Sequence, residues 1–364
     1  MDPSRQLVQT VAGAPCPDTV AANMTPVVSV VIPTYNRADL VVQAVESVLG
    51  QTYRNFELIV VDDGSPDATE ARLAPYRDLL TYSRQPNRGV NAARNFGISI
   101  SRGRYVALLD DDDLWLPSKL DEQVRVLERH SDAGFVFSDF YILRSGGERI
   151  PRGLDTWHGG PPDWARSCAV SYRVDLRPDA GYEVRAGDIY AASLGAPYVL
   201  PSTALIRRSR MDAAIRLNES DSTCGDWEYF ARLSRSSGAI FMDIETTLNR
   251  SHEDAVRLTR LPRALQLTRR IAMVRRTWKA DADFYSANRL AVDDLERRLL
   301  ADLALAHALD GDKQGSRQSL RERSRIPGRG RPRESIVCGL LRAPGGSALI
   351  RGVRTLRQRM SASP

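Results

Sequence analysis

Apolar runs and amphipathic patterns alternate along residues 27–140 of the chain. The runs at 27–32, 56–61 and 105–109 are continuous and rich in Val, Ile and Leu, which is typical of strands buried on both faces of a parallel sheet. Between the runs, apolar residues recur every three or four positions, which indicates helices with one buried face. This alternation predicts an α/β fold with a mainly parallel open sheet flanked by helices.

Prolines set two of the predicted element ends. Pro33 cannot donate a backbone hydrogen bond, so the first strand is expected to stop there. Pro66 occupies the first position of a predicted helix that runs to about residue 80. Residues 144–195 show little periodicity and are expected to form a long irregular insertion, whereas residues 262–309 have a helical pattern.

Acidic residues follow two of the predicted strands. They are Asp62 and Asp63 after the second strand, and Asp110, Asp111, Asp112 and Asp113 after the run at 105–109. Because right-handed crossovers bring the carboxyl ends of parallel strands to one edge, these residues are expected to meet there, beside Tyr35. A lone acidic run is typical of a solvated turn that caps the next helix. Four adjacent carboxylates repel one another unless a cation lies on them. This repulsion, together with the convergence of three loops at one edge, favours a metal and nucleotide site over a solvated turn.

The net charge of +6 is unevenly distributed. Residues 313–364 contain 13 Lys and Arg against 2 Asp and Glu, so the remainder of the chain is net negative. No apolar run is long enough to span a membrane, and no secretory leader is recognisable. The 4 cysteines are scattered without a CxxC pair, which predicts a reducing, cytoplasmic setting without disulfides or structural zinc.

Five motifs together resemble the family 2 glycosyltransferases, which have the GT-A fold. They are VVIPTYNR (30–37), SVLGQTY (47–53), VVDDGS (60–65), NRG with ARN (87–89 and 93–95) and LDDDDLW (109–115). The resemblance is strong over about 27–140 and extends thinly to about 260. It implies a flexible leader (1–25), a glycosyltransferase domain (26–260) with a donor half (26–140) and an acceptor half (141–260), a helical extension (261–312), and a basic linker with an amphipathic tail (313–364).

The resemblance also implies how a nucleotide-sugar donor would be bound. Pro33 and Tyr35 would contact the donor, with the ring of Tyr35 stacked on the base, and Asp63 would accept a hydrogen bond from the base. The alternative for Tyr35 is an aromatic residue that packs at the strand end. Arg88 and Arg94 would face the diphosphate or the base, although Arg94 could equally pair with a carboxylate on its own helix. Asp62 could cap its helix.

A divalent metal, Mn²⁺ or Mg²⁺, is implied by the acidic run. Asp110 and Asp112 match the family's D-x-D pair, with Asp112 as the direct metal ligand and Asp110 as the contact to the ribose or the metal. Asp111 replaces a small residue; it would add to the negative field of the donor site or point into solvent, and Asp113 could cap the following segment. His252 is similar to a late contact to the metal or diphosphate, or is an ordinary surface histidine.

The catalytic base implied by the resemblance is Asp226. It follows Gly225, where the family commonly has Glu, so the match is imperfect. Asp226 would accept the proton of an acceptor hydroxyl, or would be an ordinary N-cap of the helix that follows. Glu228 is the alternative base, and Trp227 would pack under an acceptor sugar or under the helix.

The implied function is an inverting, metal-dependent glycosyltransferase that moves a sugar, first guess UDP-linked, to a saccharide or glycolipid acceptor in cell-surface polysaccharide synthesis. A nucleotidyltransferase and a non-catalytic sugar-nucleotide-binding subunit remain alternatives. Residues 349–360 form a predicted basic amphipathic helix, suited to an anionic membrane surface or to docking on the acidic main body. The predicted location is cytoplasmic, with a possible peripheral contact at the inner face of the cell membrane. Nucleic acid is disfavoured because the tail lacks aromatic residues.

Overall fold

A computed structural model describes residues 25–164, 167–177, 180–211, 215–251, 261–328, 338–341 and 343. The chain divides into two compact units, residues 1–255 and 256–364. The predicted leader up to residue 24, His252 and the predicted amphipathic helix at 349–360 lie outside the described residues. Within the described part of the chain, no helix combines the length and the apolar character needed to cross a membrane.

The first unit is an open sheet with helices on both faces. Its strands are β1 (Val28–Thr34), β2 (Phe56–Asp62), β3 (Thr81–Arg84), β4 (Tyr105–Leu108), β5 (Leu114–Trp115), β6 (Phe135–Leu143), β7 (Arg149–Ile150), β8 (Cys168–Arg177), β9 (Ala180–Gly187), β10 (Ala204–Arg207) and β11 (Ala239–Arg250). Its helices are α1 (Ala38–Leu49), α2 (Thr69–Leu73), α3 (Val90–Ile100), α4 (Lys119–Arg129), α5 (Gly153–His158), α6 (Tyr190–Ser193) and α7 (Gly225–Ser237).

The strands have the order β3-β2-β1-β4-β10-β6-β11-β9-β8, with β5 paired to β11 and β7 paired to β6. The first four strands in this order are parallel, and β10 is antiparallel to both β4 and β6. The parallel ends of β1, β2 and β4 therefore meet at one edge. The start of β10 lies at that same edge because its direction is reversed. The predicted α/β class is confirmed.

Alternate residues of the strands pack on opposite faces of the sheet, as the period of a strand requires. Val30 and Ile32 lie in the core cluster that contains Val41 and Val45 of α1. Val31 lies in the core cluster on the other face, with Ala93 of α3 and Phe230 of α7. Both faces of the central strands are therefore buried, which explains their continuous apolar runs.

The predicted stop of the first strand at Pro33 is wrong. β1 continues to Thr34, and Pro33 pairs with Val61 of β2. Odd-numbered residues of β1 direct their backbone groups towards β4, as the bond from the Leu109 N–H to the Val31 carbonyl shows. β4 ends opposite Val31, so the amide that Pro33 lacks has no ladder partner to lose.

Two other predicted elements need correction. The helix expected to reach residue 80 is only α2 followed by one 3-10 turn at Ala74–Tyr76, because Pro75 interrupts it. The insertion at 144–195 contains the antiparallel pair β8–β9, and β9 continues the sheet beside β11. Its period of two was hidden because charged residues alternate with the buried Tyr182 and Val184.

The second unit includes the α-helices α8 (Arg263–Val274), α9 (Ala282–Leu309) and α10 (Lys313–Arg325), with a π-helical segment at Arg275–Lys279 directly after α8. The linker predicted from residue 313 onwards is therefore wrong as far as Arg325. The side chain of Asp312 accepts a hydrogen bond from the Gly315 N–H and caps α10, and Leu320 packs with Ala304 of α9. The buried face of α10 is largely Ser and Arg, so it has no apolar stripe that reveals a helix.

Gly103 provides a test of the packing beside β1. Its N–H donates to the Ser29 hydroxyl at 2.7 Å, and a Cβ on Gly103 would lie 2.6 Å from the Ser29 backbone nitrogen. We expect Gly103→Ala to lower the free energy of unfolding by about 1–3 kcal/mol, measured by urea denaturation. Gly146→Ala is the matched control, since no atom lies within 4 Å of its added carbon. Equal stability of the two variants would contradict the close approach.

Candidate active site

The acidic loop at 110–113 lies where β4 ends, between the ends of β1 and β10. Ser202, which precedes β10, holds the loop from that side. The Asp110 N–H donates to the Ser202 hydroxyl at 3.1 Å, and this hydroxyl donates to Asp113 Oδ2 at 2.6 Å. The turn before β10, which belongs to none of the five sequence motifs, therefore anchors the acidic loop.

The four carboxylates are divided into two buried and two accessible groups. Asp111 and Asp113 are 5% and 1% exposed, whereas the side chains of Asp110 and Asp112 are 24% and 20% exposed. Alternate residues of the loop thus point in different directions. Only Asp110 and Asp112, the two residues of the D-x-D pattern, offer carboxylate surface to a ligand.

Asp113 was predicted to cap the following segment. This prediction is wrong, because its carboxylate instead joins the loop to other strands of the sheet. Besides Ser202, it receives hydrogen bonds from Asn249 Nδ2 at 3.0 Å and the Arg250 N–H at 3.3 Å. Burial and the neighbouring carboxylates raise the pKa of Asp113 well above its ordinary value. The loop is thereby fastened to β11.

Asp111 is also held inside the protein, so the prediction that it could point into solvent is wrong. The Thr34 hydroxyl donates to Asp111 Oδ2 and Arg37 Nη1 donates to Oδ1, both at 2.8 Å. Burial raises the pKa of Asp111 to about 6, although the Arg37 charge opposes the shift. Asp111 thus connects the acidic loop to the end of β1.

Each accessible carboxylate is paired with an arginine. Arg94 Nη2 donates to Asp110 Oδ1 at 2.5 Å, and Arg37 Nη1 donates to Asp112 Oδ2 at 2.8 Å. The Arg94 guanidinium is buried and also donates to Asn91 on its own helix, at 3.0 Å. The alternative that Arg94 pairs with a carboxylate of its own helix is therefore wrong.

The donor set fits a hard divalent cation that is shared with a diphosphate. Asp110 and Asp112 offer carboxylate oxygens, and Mg²⁺ characteristically binds one or two carboxylates together with substrate phosphates and water. Among the residues that the structure describes, no group of three or more His, Cys, Asp or Glu side chains could hold a metal alone. A metal at this loop would therefore need further ligands such as water or phosphate oxygens.

Asp226 lies at the same edge, at the second residue of α7. Burial raises the pKa of its carboxyl group, the Arg94 charge opposes this shift, and the Asp110 charge adds to it. Arg94 therefore lies in the electrostatic range of both Asp110 and Asp226. Asp226 accepts a hydrogen bond from the next N–H, that of Trp227, at 2.8 Å. The N-cap alternative is wrong because Cys224 occupies that position.

The glycine before Asp226 has a steric cause. A Cβ on Gly225 would lie 2.2 Å from Asn91 Nδ2. This amide is fixed because it donates to the carbonyls of Asn218 and Asp221, each at 2.9 Å. A glutamate at residue 225 would require this network to move, so the departure from the family pattern accompanies the close packing of α7 on α3.

The neighbours of Asp226 on α7 have other contacts. Glu228 is buried, and Asn218 Nδ2 lies 3.5 Å from its Oε2. The Trp227 indole N–H donates to the Ser193 carbonyl at 2.7 Å, so this ring ties α7 to α6. These positions favour Asp226 over Glu228 as the carboxylate that faces the acidic loop.

Tyr35 is presented on the loop that follows β1, with 46% of its surface exposed. Asn36 has a positive φ of 55°, and its N–H donates to the Ser65 hydroxyl at 2.9 Å. The Ala38 N–H donates to Asp67 Oδ2 at 3.0 Å. The loop that carries Tyr35 is thus fixed by the segment after β2, which leaves the ring accessible to a flat ligand.

Asp63 has a different environment from the one expected. It is buried, and its carboxylate accepts hydrogen bonds from Gln85 Nε2 at 2.7 Å, the Arg88 N–H at 2.9 Å and the Gly89 N–H at 2.7 Å. The Arg88 guanidinium pairs with Glu219 at 2.8 Å. A contact between Asp63 or Arg88 and a base therefore stays a prediction.

The neighbouring Asp62 does not cap a helix. Its carboxylate accepts hydrogen bonds from the Ser65 N–H at 2.7 Å and the Tyr82 hydroxyl at 2.6 Å, ahead of the start of α2. Asp62, the last residue of β2, and Asp63, which follows it, thus both organise the loops at this edge.

Three residues at this edge were not singled out from the sequence: Arg37, Asn91 and Ser202. Arg37 was quoted only as the end of a motif, and its position directly after Tyr35 was the available signal. No local pattern indicated Asn91 or Ser202, since their partners are distant in the sequence.

Comparison with known proteins shows similarity over the first half of the chain. Residues 29–164 match the model of Glycosyl transferase family 2. An uncharacterized glycosyltransferase of Rickettsia typhi is 42% identical over 105 residues, 29% of this chain and 33% of that protein. A UDP-Glc:alpha-D-GlcNAc-diphosphoundecaprenol beta-1,3-glucosyltransferase of Escherichia coli, WfaP, is 37% identical over 117 residues, 32% of this chain and 46% of its own length. The putative teichuronic acid biosynthesis glycosyltransferase TuaG of Bacillus subtilis is 37% identical over 135 residues, 36% of this chain and 53% of its own length.

Similarity of fold extends over more of the chain. The S. aureus TarS fragment 1–349 in complex with UDP-GlcNAc aligns with a TM-score of 0.56 at 16% identity, over 89% of this chain and 88% of that one. A mannosyltransferase of Pyrobaculum calidifontis in complex with GDP-Man and Mn²⁺ aligns with a TM-score of 0.51 at 16% identity, over 97% of this chain and 93% of that one. The predicted GT-A-type fold is confirmed. The family model matches residues 29–164 alone, and this chain spans only 33% to 53% of the length of the three relatives named above.

The buried Asp63 carboxylate provides a test of its structural role. Asp63→Ala removes the acceptor of two backbone N–H groups, so we expect the free energy of unfolding to fall by about 2–4 kcal/mol in urea denaturation. The control is Asp39→Ala, which breaks an exposed ion pair with Arg72 and should change stability by less than about 1 kcal/mol. Wild-type stability in Asp63→Ala would show that these bonds are dispensable.

Proposed function

We propose that this protein is an inverting glycosyltransferase that transfers a sugar from a nucleoside-diphosphate donor to a hydroxyl group. The observation that carries the proposal is the arrangement of Asp110, Arg94 and Asp226: the buried guanidinium of Arg94 is hydrogen-bonded to Asp110 of the acidic loop and lies within electrostatic range of the separate carboxylate Asp226. One carboxylate is suited to the donor side and the other to the acceptor side. Both belong to the sheet edge where open α/β folds bind ligands.

The donor would lie along the ends of β1 and β4. The exposed ring of Tyr35 offers a stacking surface for the base, next to Pro33 at the end of β1. Asp110 and Asp112 would hold a divalent cation, Mn²⁺ or Mg²⁺, together with the diphosphate. When bound, this cation would neutralise the charge that develops on the departing diphosphate.

The acceptor hydroxyl would approach from the side of α7. Its oxygen attacks C1 of the sugar as the bond from C1 to the diphosphate oxygen breaks, and its proton passes to Asp226. In-line displacement of this kind inverts the configuration at C1. The raised pKa of Asp226 increases its proton affinity, which suits a general base.

The donor and acceptor classes are suggested by the relatives. WfaP is named for a UDP-Glc donor and a diphosphoundecaprenol-linked acceptor, TuaG for teichuronic acid biosynthesis, and the TarS fragment was solved with UDP-GlcNAc. We infer a UDP-sugar as donor and a saccharide or glycolipid as acceptor, in cell-surface polysaccharide synthesis. Such an acceptor fits a cytoplasmic protein with a peripheral membrane contact through its basic C-terminal residues.

Two variants should separate the donor and acceptor roles. We expect Asp226→Asn to bind UDP with Mn²⁺ as the wild type does, in calorimetry, and to lose turnover by at least about 100-fold because the proton acceptor is gone. Asp112→Asn should lose metal-dependent UDP binding.

Release of UDP, rather than pyrophosphate, in the wild-type reaction is expected. Pyrophosphate would indicate a nucleotidyltransferase, and donor binding without transfer or hydrolysis would indicate a binding subunit.

The pH profile tests the assignment of the base. Only the ionised form of Asp226 accepts a proton, so kcat at saturating donor and metal should fall as pH decreases through its raised pKa. The midpoint should lie above 3.8, the ordinary value for aspartate, and Arg94→Gln should move it to higher pH because the opposing charge is removed. A midpoint that Arg94→Gln moves to lower pH would contradict the assignment.

A further inference from the structure

Arg37 connects two neighbouring carboxylates of the acidic loop through a single nitrogen. Its Nη1 donates to Asp111 Oδ1 and to Asp112 Oδ2, each at 2.8 Å. Both carboxylates lie more than 70 residues after Arg37, which is in the loop after β1. The guanidinium therefore brings one positive charge to the carboxylate that is the candidate metal ligand.

The loop that carries Arg37 is rigidly placed. The residue before it, Asn36, has a positive φ and donates its N–H to Ser65, and the residue after it, Ala38, donates its N–H to Asp67. These bonds lie on both sides of Arg37 along the backbone. The ion pair with the acidic loop is thus a consequence of the fold.

The two ends of the bridge differ in their surroundings. Asp111 is buried and its second oxygen is fixed by the Thr34 hydroxyl. Asp112 is 20% exposed, and Arg37 itself is 32% exposed. Because water and ions reach the Asp112 end, that contact can exchange, while the contact with Asp111 persists as an anchor.

The bridge and a divalent cation compete for the same charge. A metal that approaches Asp112 meets the positive charge of Arg37, and Asp110 is already paired with Arg94. A cation alone is therefore attracted weakly by the loop. A diphosphate adds negative charge of its own, and guanidinium groups bind phosphate oxygens well.

We propose that Arg37 acts as a resident cation on Asp112 and makes metal binding depend on the donor: the divalent cation binds Asp112 only together with a nucleoside diphosphate. This inference rests on the proposed donor site and adds a positioning role for Arg37 within it. The anchor on Asp111 keeps the guanidinium beside the loop after Asp112 has exchanged it for the metal.

The test measures binding of Mn²⁺ alone by electron paramagnetic resonance, with full-length protein and no nucleotide. Arg37→Gln removes the competing charge, so we expect Mn²⁺ to bind about tenfold more tightly than to the wild type. Arg37→Lys keeps one charge but cannot bridge two carboxylates, so its affinity for Mn²⁺ should lie between those of the wild type and Arg37→Gln. Arg72→Gln is the control, since it removes a nearby arginine whose partner is the exposed Asp39, and it should leave the affinity unchanged.

The second measurement repeats the titration in the presence of UDP. In the wild type UDP should tighten Mn²⁺ binding, and this factor should be smaller in Arg37→Gln. If Arg37→Gln binds Mn²⁺ no more tightly than the wild type does, the proposed role of Arg37 is wrong. If the glutamine variant does not fold, the same comparison is made with Arg37→Lys. Failure of the wild type to bind Mn²⁺ even with UDP would instead contradict the proposed donor site.

Discussion

Four adjacent carboxylates at the end of β4 must be compensated, and the surrounding structure is arranged around this requirement. Two of them are buried and hydrogen-bonded to side chains from β1, from the turn before β10 and from β11. The two accessible ones are paired with arginines from the loop after β1 and from α3. The partners are Thr34, Arg37, Arg94, Ser202 and Asn249. An unpaired buried charge is strongly unfavourable, so the fold requires these contacts. Together they connect strands of both halves of the sheet to one loop.

The parallel strands and the acidic edge could be predicted from the sequence because their signals are local. A continuous apolar run identifies a doubly covered strand, and strand direction then determines where Asp110 and Asp112 lie. The division of the acidic residues into buried and accessible ones could not be predicted, since the partners of Asp113 are distant in the sequence, Ser202 being 89 residues away. Pro33 was misjudged for a similar reason: its effect depends on where the neighbouring β4 ends. The pair β8–β9 was missed because alternating charges concealed its pattern.

Arg94 connects the two chemical roles that the proposed function requires. It is a buried cation that pairs with Asp110 and lies in the electrostatic range of Asp226, so its charge acts on the carboxylates proposed for the donor side and for the acceptor side. The glycine before Asp226 allows α7 to approach Asn91 on the same helix as Arg94. Close packing thus explains why residue 225 is a glycine and not the glutamate that the family commonly has. Arg37 plays the corresponding part for Asp112, from the other side of the loop.

We propose that the acidic loop holds a divalent cation together with the donor diphosphate. Anomalous X-ray scattering at the manganese edge, from crystals grown with UDP and Mn²⁺, would locate this cation. We expect one manganese peak about 2.0–2.3 Å from a carboxylate oxygen of Asp112 and from oxygens of the UDP diphosphate. A UDP diphosphate bound at this edge by arginines with no manganese on Asp112, or a manganese site elsewhere in the chain, would contradict it.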